Sequence, residues 1–508
     1  MSDQSGREFE IKLLLPEGQC SASGKLLANA SLVRTDELSA IYFDTNDWSL
    51  RQAGALLRIR SDGQEIEQTC KFWDGGDGSS RVNREEWSCP LTEPKIDMEA
   101  FPSKLQKRIR KFLSGKTLQP YADISTRRTS GLVAFGASLI EVAIDQVTIS
   151  AAEDKRHFSE IEMELKQGKA SDIFRYIMAS PVATDMRWSI KSKADRGYEL
   201  AAGVAEAPQK AGDIQLNPSM SVTQAFRVIA WSCINHLLGN YLLVIGMRDE
   251  EALHQSRVAI RRLRSALSIF RDIVDDQLYG QLYEEWRNAA KKMGAARDLD
   301  VLIGRVDRDG SEAERIFSDK LADARRQKYD DVCAYLQSPD FQRLLQVTAI
   351  WLEEGNWSTK GPDDPSSTKE TIGKFARHYF RKKRHALIKR GSNLDKLTAA
   401  ERHRLRIKIK KLAYAFDFFR SLSRLNRPSK VHGKIDSQID RLKDQLGALN
   451  DIATGQNWST MIGKSEAKPS PGLERGLHEF QLREHDREAL LLTKASATLR
   501  SLQKSISG

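Results

Sequence analysis

The sequence predicts an α+β protein of several domains, with a β-rich N-terminal part and an all-helical C-terminal part. Charged and apolar residues alternate with a period of two along several segments of the first 165 residues. Cationic stripes with helical spacing appear after residue 250 and occur twice. The 508 residues correspond to roughly three domains of about 150 residues each, and a hydrophobic content of 40% is sufficient for packed cores.

Each strand-like segment carries one charged face and one apolar face. In the first, REFEIKLLL, the alternation places Glu8, Glu10 and Lys12 on one side and apolar residues on the other. The pattern recurs in ALLRIR with Arg58 and Arg60, QTCKFW with Lys71, VNREEW with Arg84, EVAID with Asp145, and SEIEMELK with Glu162 and Glu164. If the sheet curls into a barrel with its charged face inside, acids and bases from different strands meet in one lumen.

The mixed charge of these faces indicates a site for metal ions and a polyanion. Carboxylates bind Mg²⁺ and related ions, whereas Arg and Lys bind phosphate oxygens. For any single charged strand, a solvated face is the commoner explanation. The repetition over several strands, some acidic and others basic, favours a binding lumen.

Taken in order, these segments resemble the CYTH domain family, the triphosphate tunnel metalloenzymes. Glu8–Lys12 reads as the ExExK signature of that family, and the resemblance covers residues 7–200. It includes YFDT (42–45), LRIR (57–60), IEVAID (140–145), EIEMEL (160–165) and SKADRGY (192–198). The resemblance implies an antiparallel β-barrel tunnel with flanking helices, which hydrolyses inorganic triphosphate or short-chain polyphosphate with Mg²⁺ or Mn²⁺.

The resemblance also implies roles for individual residues. Lys12, Glu162 and Glu164 are expected to take part in catalysis. The expected metal ligands are Glu8, Glu10, Asp145, Glu162 and Glu164. The expected phosphate-binding residues are Lys12, Arg58, Arg60, Lys71, Arg84, Arg127, Lys193 and Arg196. One ion would bridge the phosphates, and a second ion or a nearby Glu would orient the attacking water.

Charge and composition change together near residue 210. Residues 1–200 carry 28 Lys and Arg against 30 Asp and Glu, a net charge of −2, whereas the remaining 308 residues carry a net charge of +13. Residues 201–218 are rich in small residues and show little periodicity. The sequence therefore predicts a tunnel domain at 1–200, a linker at 201–218 and a basic helical domain at 219–508.

Cysteine usage and hydropathy favour a cytoplasmic protein. The five cysteines are dispersed without a C-x-x-C pair, which argues against a disulfide framework or a zinc site. The N-terminal residues contain no apolar core of a signal peptide. The most apolar stretch, residues 228–247, is interrupted by Asn235 and Asn240, so a buried helix pair explains it better than a membrane span.

The helical part contains an internal repeat, because two segments share a spacing of 0, 3, 7 and 10 that lies along one side of a helix. The first consists of His254, Arg257, Arg261 and Arg264. The second, 149 residues later, consists of His403, Arg406, Lys410 and Ala413, and Arg262 corresponds in the same way to Lys411. MGAARD (293–298) and LGALND (446–451) form another matching pair, offset by 153 residues. A tandem duplication is therefore predicted, with repeats at about 219–358 and 369–508.

The segments HQSRVAIRRLRSAL and HRLRIKIKKLAYAF, with ARDLDVL and LNDIA, resemble the marker helices of the CHAD domain family. The resemblance covers residues 219–508. It implies two tandem four-helix bundles that face each other across a basic groove and bind inorganic polyphosphate. The expected polyphosphate ligands are His254, Arg257, Arg261, Arg262, Arg264, His403, Arg406, Lys410 and Lys411. A polyphosphate chain is charged along its whole length, so linear stripes of Arg and Lys match it.

Other polyanions and functions stay open at this level. Nucleic acid would also suit the basic helices, but the stripes lack interleaved aromatic residues for base stacking. One alternative is a polyphosphate-granule adaptor with little catalysis, and another is a tunnel enzyme that acts on a nucleotide or on thiamine triphosphate. We expect inorganic triphosphate and polyphosphate as partners, no specific nucleic acid, no membrane, and a cytoplasmic location at polyphosphate granules. The sequence does not predict the oligomeric state.

Overall fold

The computed structural model describes residues 9–16, 24–72, 85–180, 186–306, 311–358, 370–388, 394, 397–425, 430–465 and 470–507. The chain forms two compact units. The first unit consists of Met1–Gly212 with Leu238–Leu243 and Ser338–Glu354. The second consists of Asp213–Leu237, Val244–Gln337 and Gly355–Gly508.

Nine β-strands form the framework of the first unit within its described residues. They are β1 (Phe9–Leu15), β2 (Ser31–Asp44), β3 (Ala55–Ser61), β4 (Ile66–Phe72), β5 (Glu85–Leu91), β6 (Gln119–Phe135), β7 (Ser138–Ala151), β8 (Asp154–Gln167) and β9 (Arg187–Ser189). The strands form one sheet in the order β5-β4-β3-β2-β6-β7-β8-β1-β9. Every neighbouring pair is antiparallel, so the antiparallel arrangement predicted for the β-barrel is confirmed, whereas closure of the sheet into a tunnel stays a prediction.

Helices complete both units. In chain order they are α1 (Ser49–Gln52), α2 (Ser103–Leu113), α3 (Ala170–Ala179), α4 (Lys193–Ala201), α5 (Val222–Leu238), α6 (Tyr241–Met247), α7 (Glu250–Ile269), α8 (Arg271–Val274), α9 (Tyr279–Lys292), α10 (Gly294–Ile303), α11 (Glu312–Gln337), α12 (Pro339–Glu354), α13 (Ile372–Ile388), α14 (Ala399–Phe418), α15 (Arg420–Leu425), α16 (Lys430–Ser465) and α17 (Pro471–Ser507). From Val222 onward the regular elements of the described residues are helical, which confirms the predicted helical C-terminal part.

One face of the sheet is apolar, because alternate residues of its strands are apolar. Ile11 and Met163 are buried on this face. Phe9 lies against Phe174 of α3, with ring centroids 5.9 Å apart. Farther along the sheet, the apolar side of β3 and β4 packs against α2. This burial fixes the register, so the intervening charged residues share the opposite face.

The helix α4 packs against that opposite face. Ala194 is buried in one apolar cluster with Tyr42 and Ile149. Gly197 makes the close approach possible, since a Cβ at this position would lie 3.0 Å from the Cβ of Ala122. The charged face of the sheet is therefore partly apolar where α4 covers it.

A capping box fixes the N-terminus of α4. The Oγ of Ser192 accepts a hydrogen bond from the backbone N–H of Asp195 at 3.1 Å, and the Asp195 carboxylate accepts one from the N–H of Ser192 at 3.1 Å. Arg51 adds an ion pair with Asp195 at 3.1 Å and stacks 3.8 Å from the centroid of the Tyr198 ring. These contacts hold Lys193, the first residue of α4, over the charged part of the sheet.

The YFDT segment stabilises the connection from β2 to β3. Asp44 accepts hydrogen bonds from the backbone N–H groups of Thr45, Leu50 and Arg51 at 2.7, 2.9 and 3.0 Å. N–H groups in the first turn of a helix have no partner within the helix, so the Asp44 carboxylate satisfies those at the start of α1.

The two predicted marker helices of the second unit, α7 and α14, each contain 20 residues. Each begins at a side-chain cap: Asp249 accepts a hydrogen bond from the N–H of Ala252, and Thr398 forms a capping box with Glu401. The two helices contact each other. Equal lengths and similar caps support the proposal that one helix duplicates the other.

Among the described residues, one helical stretch, Val222–Met247, is long and apolar enough to cross a membrane: it has 26 residues, and its most apolar 18-residue window has a mean hydropathy of 1.5. In the structure 78% of its most apolar window is buried inside the protein. Core helices of soluble proteins meet the same criteria, so this stretch is weak evidence for a membrane span.

Candidate active site and cationic helix pair

Acidic residues of β1, β7 and β8 lie side by side on the charged face of the sheet. Because β1 and β7 both pair with β8, Glu164 lies opposite Glu10 on one side and Glu141 on the other. On the same strands, Glu160 lies opposite Asp145. The register of the sheet therefore brings together acids that are far apart in the sequence.

The most buried of these acids are Asp145, Glu160 and Glu162, which we call the carboxylate cluster. One carboxylate oxygen from each lies within 4.8 Å of the other two. Asp145 and Glu160 are 0% exposed, and the side chain of Glu162 is 15% exposed. Buried carboxylates repel one another and are poorly solvated, so the ionised cluster requires cations.

Lys193 contacts every member of the carboxylate cluster. Its Nζ lies 2.7 Å from Oδ2 of Asp145, 2.5 Å from Oε1 of Glu160 and 2.9 Å from Oε1 of Glu162. The ammonium group therefore sits at the centre of the three carboxylates.

Arg128 and Lys12 also pair with the carboxylate cluster. Arg128 donates two hydrogen bonds to Asp145, from Nε to Oδ1 at 2.8 Å and from Nη2 to Oδ2 at 2.6 Å, and a further one to Glu162. Lys12 donates to Glu162 and, at 2.7 Å, to Glu10. Paired guanidinium–carboxylate bonds of this kind are among the strongest in proteins.

Mutual attraction keeps these groups charged. Burial by itself would raise the pKa of Glu162, but the neighbouring cations Lys12, Lys193 and Arg128 hold it well below its usual value. Burial would likewise lower the pKa of Lys193, yet the carboxylate cluster holds it well above the usual value. The pKa of Lys12 is also raised, because attraction by Glu162 and Glu10 outweighs burial.

The carboxylate cluster fits a small divalent cation. Mg²⁺ and Mn²⁺ take oxygen ligands, and Mg²⁺ sites in proteins commonly combine a few carboxylates with water and substrate oxygens. Glu160 is fully buried, and although Lys193 lies 2.5 Å away, neither Glu160 oxygen accepts a well-aligned hydrogen bond from the described residues. A divalent ion would satisfy a buried carboxylate of this kind.

A second acidic group lies beside the carboxylate cluster. The Nζ of Lys166 is 2.7 Å from Oε2 of Glu141 and 2.8 Å from Oε1 of Glu164. Glu10 lies opposite Glu164 in the register. The structure therefore places Glu10 and Glu164, both predicted metal ligands, next to the most buried carboxylates and not among them.

The predicted cations of β3 and β4 lie on the charged face, farther along the sheet. The Nη2 of Arg60 is 2.8 Å from Oε1 of Glu67, and the Nζ of Lys71 is 2.7 Å from Oε2 of Glu86. The Nε of Arg58 is buried without a hydrogen-bond partner among the described residues. A buried guanidinium N–H of this kind is suited to an anionic ligand.

In β6 the structure puts Arg128, and not the predicted Arg127, at the carboxylate cluster. The side chain of Arg127 is 63% exposed, and its Nε lies 3.5 Å from Oε1 of Glu37. Arg128 is opposite Asp145 in the register. Successive residues of a strand point to opposite faces, so only one of the two arginines can reach the cluster.

Three further predicted residues complete the comparison. Arg196 of α4 contacts other groups than the carboxylates: its Nη2 lies 3.3 Å from the Oγ of Ser189, and its guanidinium lies 4.9 Å from the centroid of the Phe158 ring. Glu8 and Arg84 lie outside the described residues.

Glu160 and Arg128 belong to the site, although the sequence pattern did not assign them to it. Glu160 alternates with Glu162 and Glu164 in SEIEMELK, so the period of two was sufficient to find it. Arg128 could be assigned only from the pairing of β6 with β7, which the local pattern does not contain.

In the second unit, α7 and α14 bring like charges together. Burial and repulsion from Arg261 and Arg406 lower the pKa of Lys410 to about 7. Burial and repulsion from Arg261 also lower the pKa of Arg257 to about 10. We call Arg257, Arg261, Arg406 and Lys410 the cationic group. Lowered pKa values mean that its positive charges are under-compensated, so a bound anion would stabilise it.

Other titratable residues border the cationic group. Burial and repulsion from Arg297 lower the pKa of His254 to about 4, so this histidine is neutral near pH 7. Asp298 and Asp451, from the paired MGAARD and LGALND segments, attract the cations. Burial raises the pKa of Asp298 in spite of these cations. The two carboxylates do not fully balance the positive charge.

Arg262 and Lys411 connect the two helices to each other. Arg262 donates a hydrogen bond from Nη1 to Oδ2 of Asp417, and its guanidinium lies 5.3 Å from the centroid of the Phe418 ring. Lys411 donates a hydrogen bond from Nζ to the Oγ of Ser268 at 2.8 Å. Asp417 and Ser268 are equivalent positions, 149 residues apart, so the two contacts are reciprocal. Both predicted polyphosphate ligands are thus engaged with the facing helix.

The remaining predicted residues of the stripes are Arg264 and His403. The guanidinium of Arg264 lies 5.4 Å from the centroid of the Tyr283 ring. His403 is exposed in the second turn of α14. The structure therefore brings together the middle of the two stripes, and their ends differ in environment.

Two domain families match separate parts of the chain. The family model of the CYTH domain matches residues 6–198, and that of the CHAD domain matches residues 228–459. The chain carries a CYTH domain followed by a CHAD domain. Both resemblances seen in the sequence are thereby confirmed. The carboxylate cluster lies in the CYTH domain, and the cationic group lies in the CHAD domain.

Relatives cover one or both of these domains. The inorganic triphosphatase of Haemophilus influenzae is 35% identical over 201 residues, which are 39% of this chain and 55% of that protein. The chain thus spans little more than half the length of this relative. An uncharacterized protein of Mycobacterium tuberculosis is 25% identical over 393 residues, which are 71% of this chain and 73% of that protein.

A solved structure matches the helical part. The crystal structure of the CHAD domain from the plant Ricinus communis has a TM-score of 0.51 and 24% sequence identity. The match covers 58% of this chain and 97% of that chain. It supports the CHAD fold of the helical region.

Proposed function

We propose that the CYTH domain hydrolyses inorganic triphosphate or short-chain polyphosphate with the help of Mg²⁺ or Mn²⁺. The observation that carries the proposal is the carboxylate cluster, interleaved with Lys12, Arg128 and Lys193 on one face of the sheet. Carboxylates that can hold a metal ion, next to cations that can hold phosphate, suit a polyanion bridged by that ion. The name of the Haemophilus influenzae relative, an inorganic triphosphatase, supports the same substrate.

The residues of the charged face have separate roles in this proposal. Asp145, Glu160 and Glu162 would hold the ion, which supplies charge neutralisation at the phosphates and activation of water. Glu10 and Glu164, beside the cluster, would accept a hydrogen bond from the attacking water. The cations that would bind phosphate oxygens are Lys12, Arg58, Arg60, Lys71, Arg128 and Lys193.

We also propose that the CHAD domain binds polyphosphate through the cationic group. Arg257 and Lys410 have lowered pKa values because of burial and neighbouring cations, and a polyphosphate chain would relieve that repulsion. Arg264 and His403, at the ends of the stripes, would extend the contact. Arg262 and Lys411 would instead hold the two helices in position. A cytoplasmic location at polyphosphate granules is part of this proposal.

Phosphate release from inorganic triphosphate tests the enzymatic role. We expect release that depends on Mg²⁺ or Mn²⁺, stops on chelation and is lost in Glu162→Gln. Glu37→Gln is the matched control, since Glu37 is a 72% exposed carboxylate outside the cluster. Full turnover of Glu162→Gln at saturating ion would contradict the assignment.

Competing substrates test the alternatives in the same assay. A higher kcat/KM for ATP or thiamine triphosphate would reassign the substrate. Binding of polyphosphate without any hydrolysis of triphosphate would favour the granule adaptor.

Titration of the full chain with long-chain polyphosphate and with single-stranded RNA of equal charge tests the CHAD domain. We expect tighter binding of polyphosphate and a loss of affinity in Arg261→Ala. Arg326→Ala, which removes a 70% exposed cation of α11, should bind normally. Tighter binding of RNA would favour a nucleic-acid partner.

A further inference from the structure

Lys193 stands where a divalent ion is expected to bind. Its Nζ lies within 2.9 Å of an oxygen of each member of the carboxylate cluster. Its side chain is only 14% exposed, and the capping box of Ser192 and Asp195 fixes its backbone. An ammonium group and a divalent ion cannot occupy the centre of the same three carboxylates together, because they repel each other and fill the same space.

The other two cations cannot replace Lys193. Arg128 contacts Asp145 and Glu162, and Lys12 contacts Glu162 and Glu10. In the ion pairs of the described residues, only Lys193 reaches all three members of the cluster. Glu160, whose oxygens accept no well-aligned hydrogen bond from the described residues, depends on this ammonium group for its compensation.

Among the described residues, the ion-pair network around the carboxylate cluster is already nearly balanced in charge without ligands. Its four carboxylates, those of Glu10 and the cluster, face three cations, Lys12, Arg128 and Lys193, which leaves a net charge of −1. A divalent ion alone would reverse this to +1 in a buried place, which is unfavourable. A triphosphate brings several negative charges and offers the cations new partners.

We propose that Lys193 is an internal counter-cation, which keeps divalent ions out of the empty site. When a phosphate chain binds the ammonium group of Lys193, this group releases the carboxylates, and a divalent ion can bind them. The inference rests on the proposed function of this site. It means that ion and triphosphate bind with positive coupling, and that each raises the affinity of the other by the same factor. It also means that free divalent ions bind weakly, so that the protein selects the complex of ion and phosphate chain.

Binding of Mn²⁺ to the full chain, followed by electron paramagnetic resonance, tests this role without turnover. The probe is Mn²⁺ alone or with imidotriphosphate, a triphosphate whose bridging oxygens are replaced by N–H groups. In the wild type, the analogue should tighten Mn²⁺ binding by about tenfold or more, within the usual range of coupling. Lys193→Met should bind Mn²⁺ alone about tenfold more tightly than the wild type, and its coupling to the analogue should shrink.

Lys166→Met is the matched control, because Lys166 is a lysine that pairs with the adjacent acids Glu141 and Glu164. It should change the affinity for Mn²⁺ alone far less than Lys193→Met. Lys193→Gln, which is uncharged but can still donate hydrogen bonds to the carboxylates, serves if the methionine variant fails to fold, and circular dichroism verifies the fold.

The outcomes separate the inference from the proposed function. If wild type binds Mn²⁺ with the analogue, but neither Lys193 variant binds free Mn²⁺ more tightly, the counter-cation role is wrong and the metal site stands. If Lys166→Met tightens binding as much as Lys193→Met, the effect is general electrostatics and the specific role of Lys193 is overturned. If no protein binds Mn²⁺ even with the analogue, both the metal site and the inference fall.

Discussion

Lys410 provides a quantitative test of the cationic group. Burial and repulsion from Arg261 and Arg406 lower its pKa to about 7, whereas an ordinary lysine has a pKa of about 10.4. Bound polyphosphate would supply negative charge and raise the pKa of Lys410 towards that ordinary value. A basic group whose pKa is raised by binding favours the complex at low pH, so affinity should fall as the pH rises through 7.

The magnitude follows from linkage. At pH 7 about half of the Lys410 side chains are neutral in the free protein, so binding should take up about half a proton, and about one proton above pH 8. For a pKa that rises from about 7 to about 10.4, the affinity should fall about fivefold between pH 7 and pH 8. Between pH 6 and pH 7 the decrease should be only about twofold.

Isothermal titration calorimetry with long-chain polyphosphate, in two buffers of different ionisation enthalpy, counts the protons. Lys410→Arg should abolish most of the uptake near pH 8 and flatten the pH dependence, because arginine stays charged. Lys411→Arg is the control and should keep the proton uptake and the pH dependence of the wild type, since Lys411 is engaged with Ser268. If Lys410→Arg retained the proton uptake and pH dependence of the wild type, our account of the cationic group would be refuted.

Three further predictions concern single side chains. Glu160→Gln should abolish ion-dependent hydrolysis of triphosphate with the circular dichroism spectrum unchanged, because it removes a proposed metal ligand from the carboxylate cluster; appreciable turnover would exclude Glu160 as a ligand. Arg58→Ala should raise the KM for triphosphate in steady-state assays by about ten- to a hundredfold, since a charge-assisted hydrogen bond contributes about 1.5–3 kcal/mol, and Arg127→Ala on the opposite face should not; equal effects would disprove the assignment of faces. Arg262→Ala should lower the free energy of unfolding, measured with urea, by about 1.5–3 kcal/mol, because a charge-assisted hydrogen bond from a buried guanidinium to Asp417 is lost while Arg420 still pairs with Asp417; a loss below about 1 kcal/mol would argue against a structural role.

The period of two predicted the strands and the charged face because burial of the other face fixes the register. The same rule could not choose between the adjacent residues Arg127 and Arg128, since that choice depends on how β6 pairs with β7. The period of two predicted charged residues along SEIEMELK. Glu160 is completely buried next to Lys193 of α4, and this tertiary contact is not contained in the local pattern.

Helical spacing had a similar limit in the CHAD domain. It placed Arg262 beside the stripe, but the packing of α7 on α14 decides that this side chain meets Asp417. The predicted boundary at residues 201–218 divides the chain at a single place. The two compact units are not separated at a single place, because Ser338–Glu354 belongs to the first unit through contacts that only the folded chain creates.

The reciprocal contacts between α7 and α14 have the form of an isologous dimer interface. In such an interface a residue i of one subunit meets residue j of the other, and j of the first meets i of the second. Arg262 with Asp417, and Lys411 with Ser268, follow this rule within one polypeptide. Two identical subunits must keep both contacts alike, because each mutation appears twice. Covalent fusion removes that constraint, and here one contact is an ion pair while its symmetric counterpart is a lysine–hydroxyl hydrogen bond.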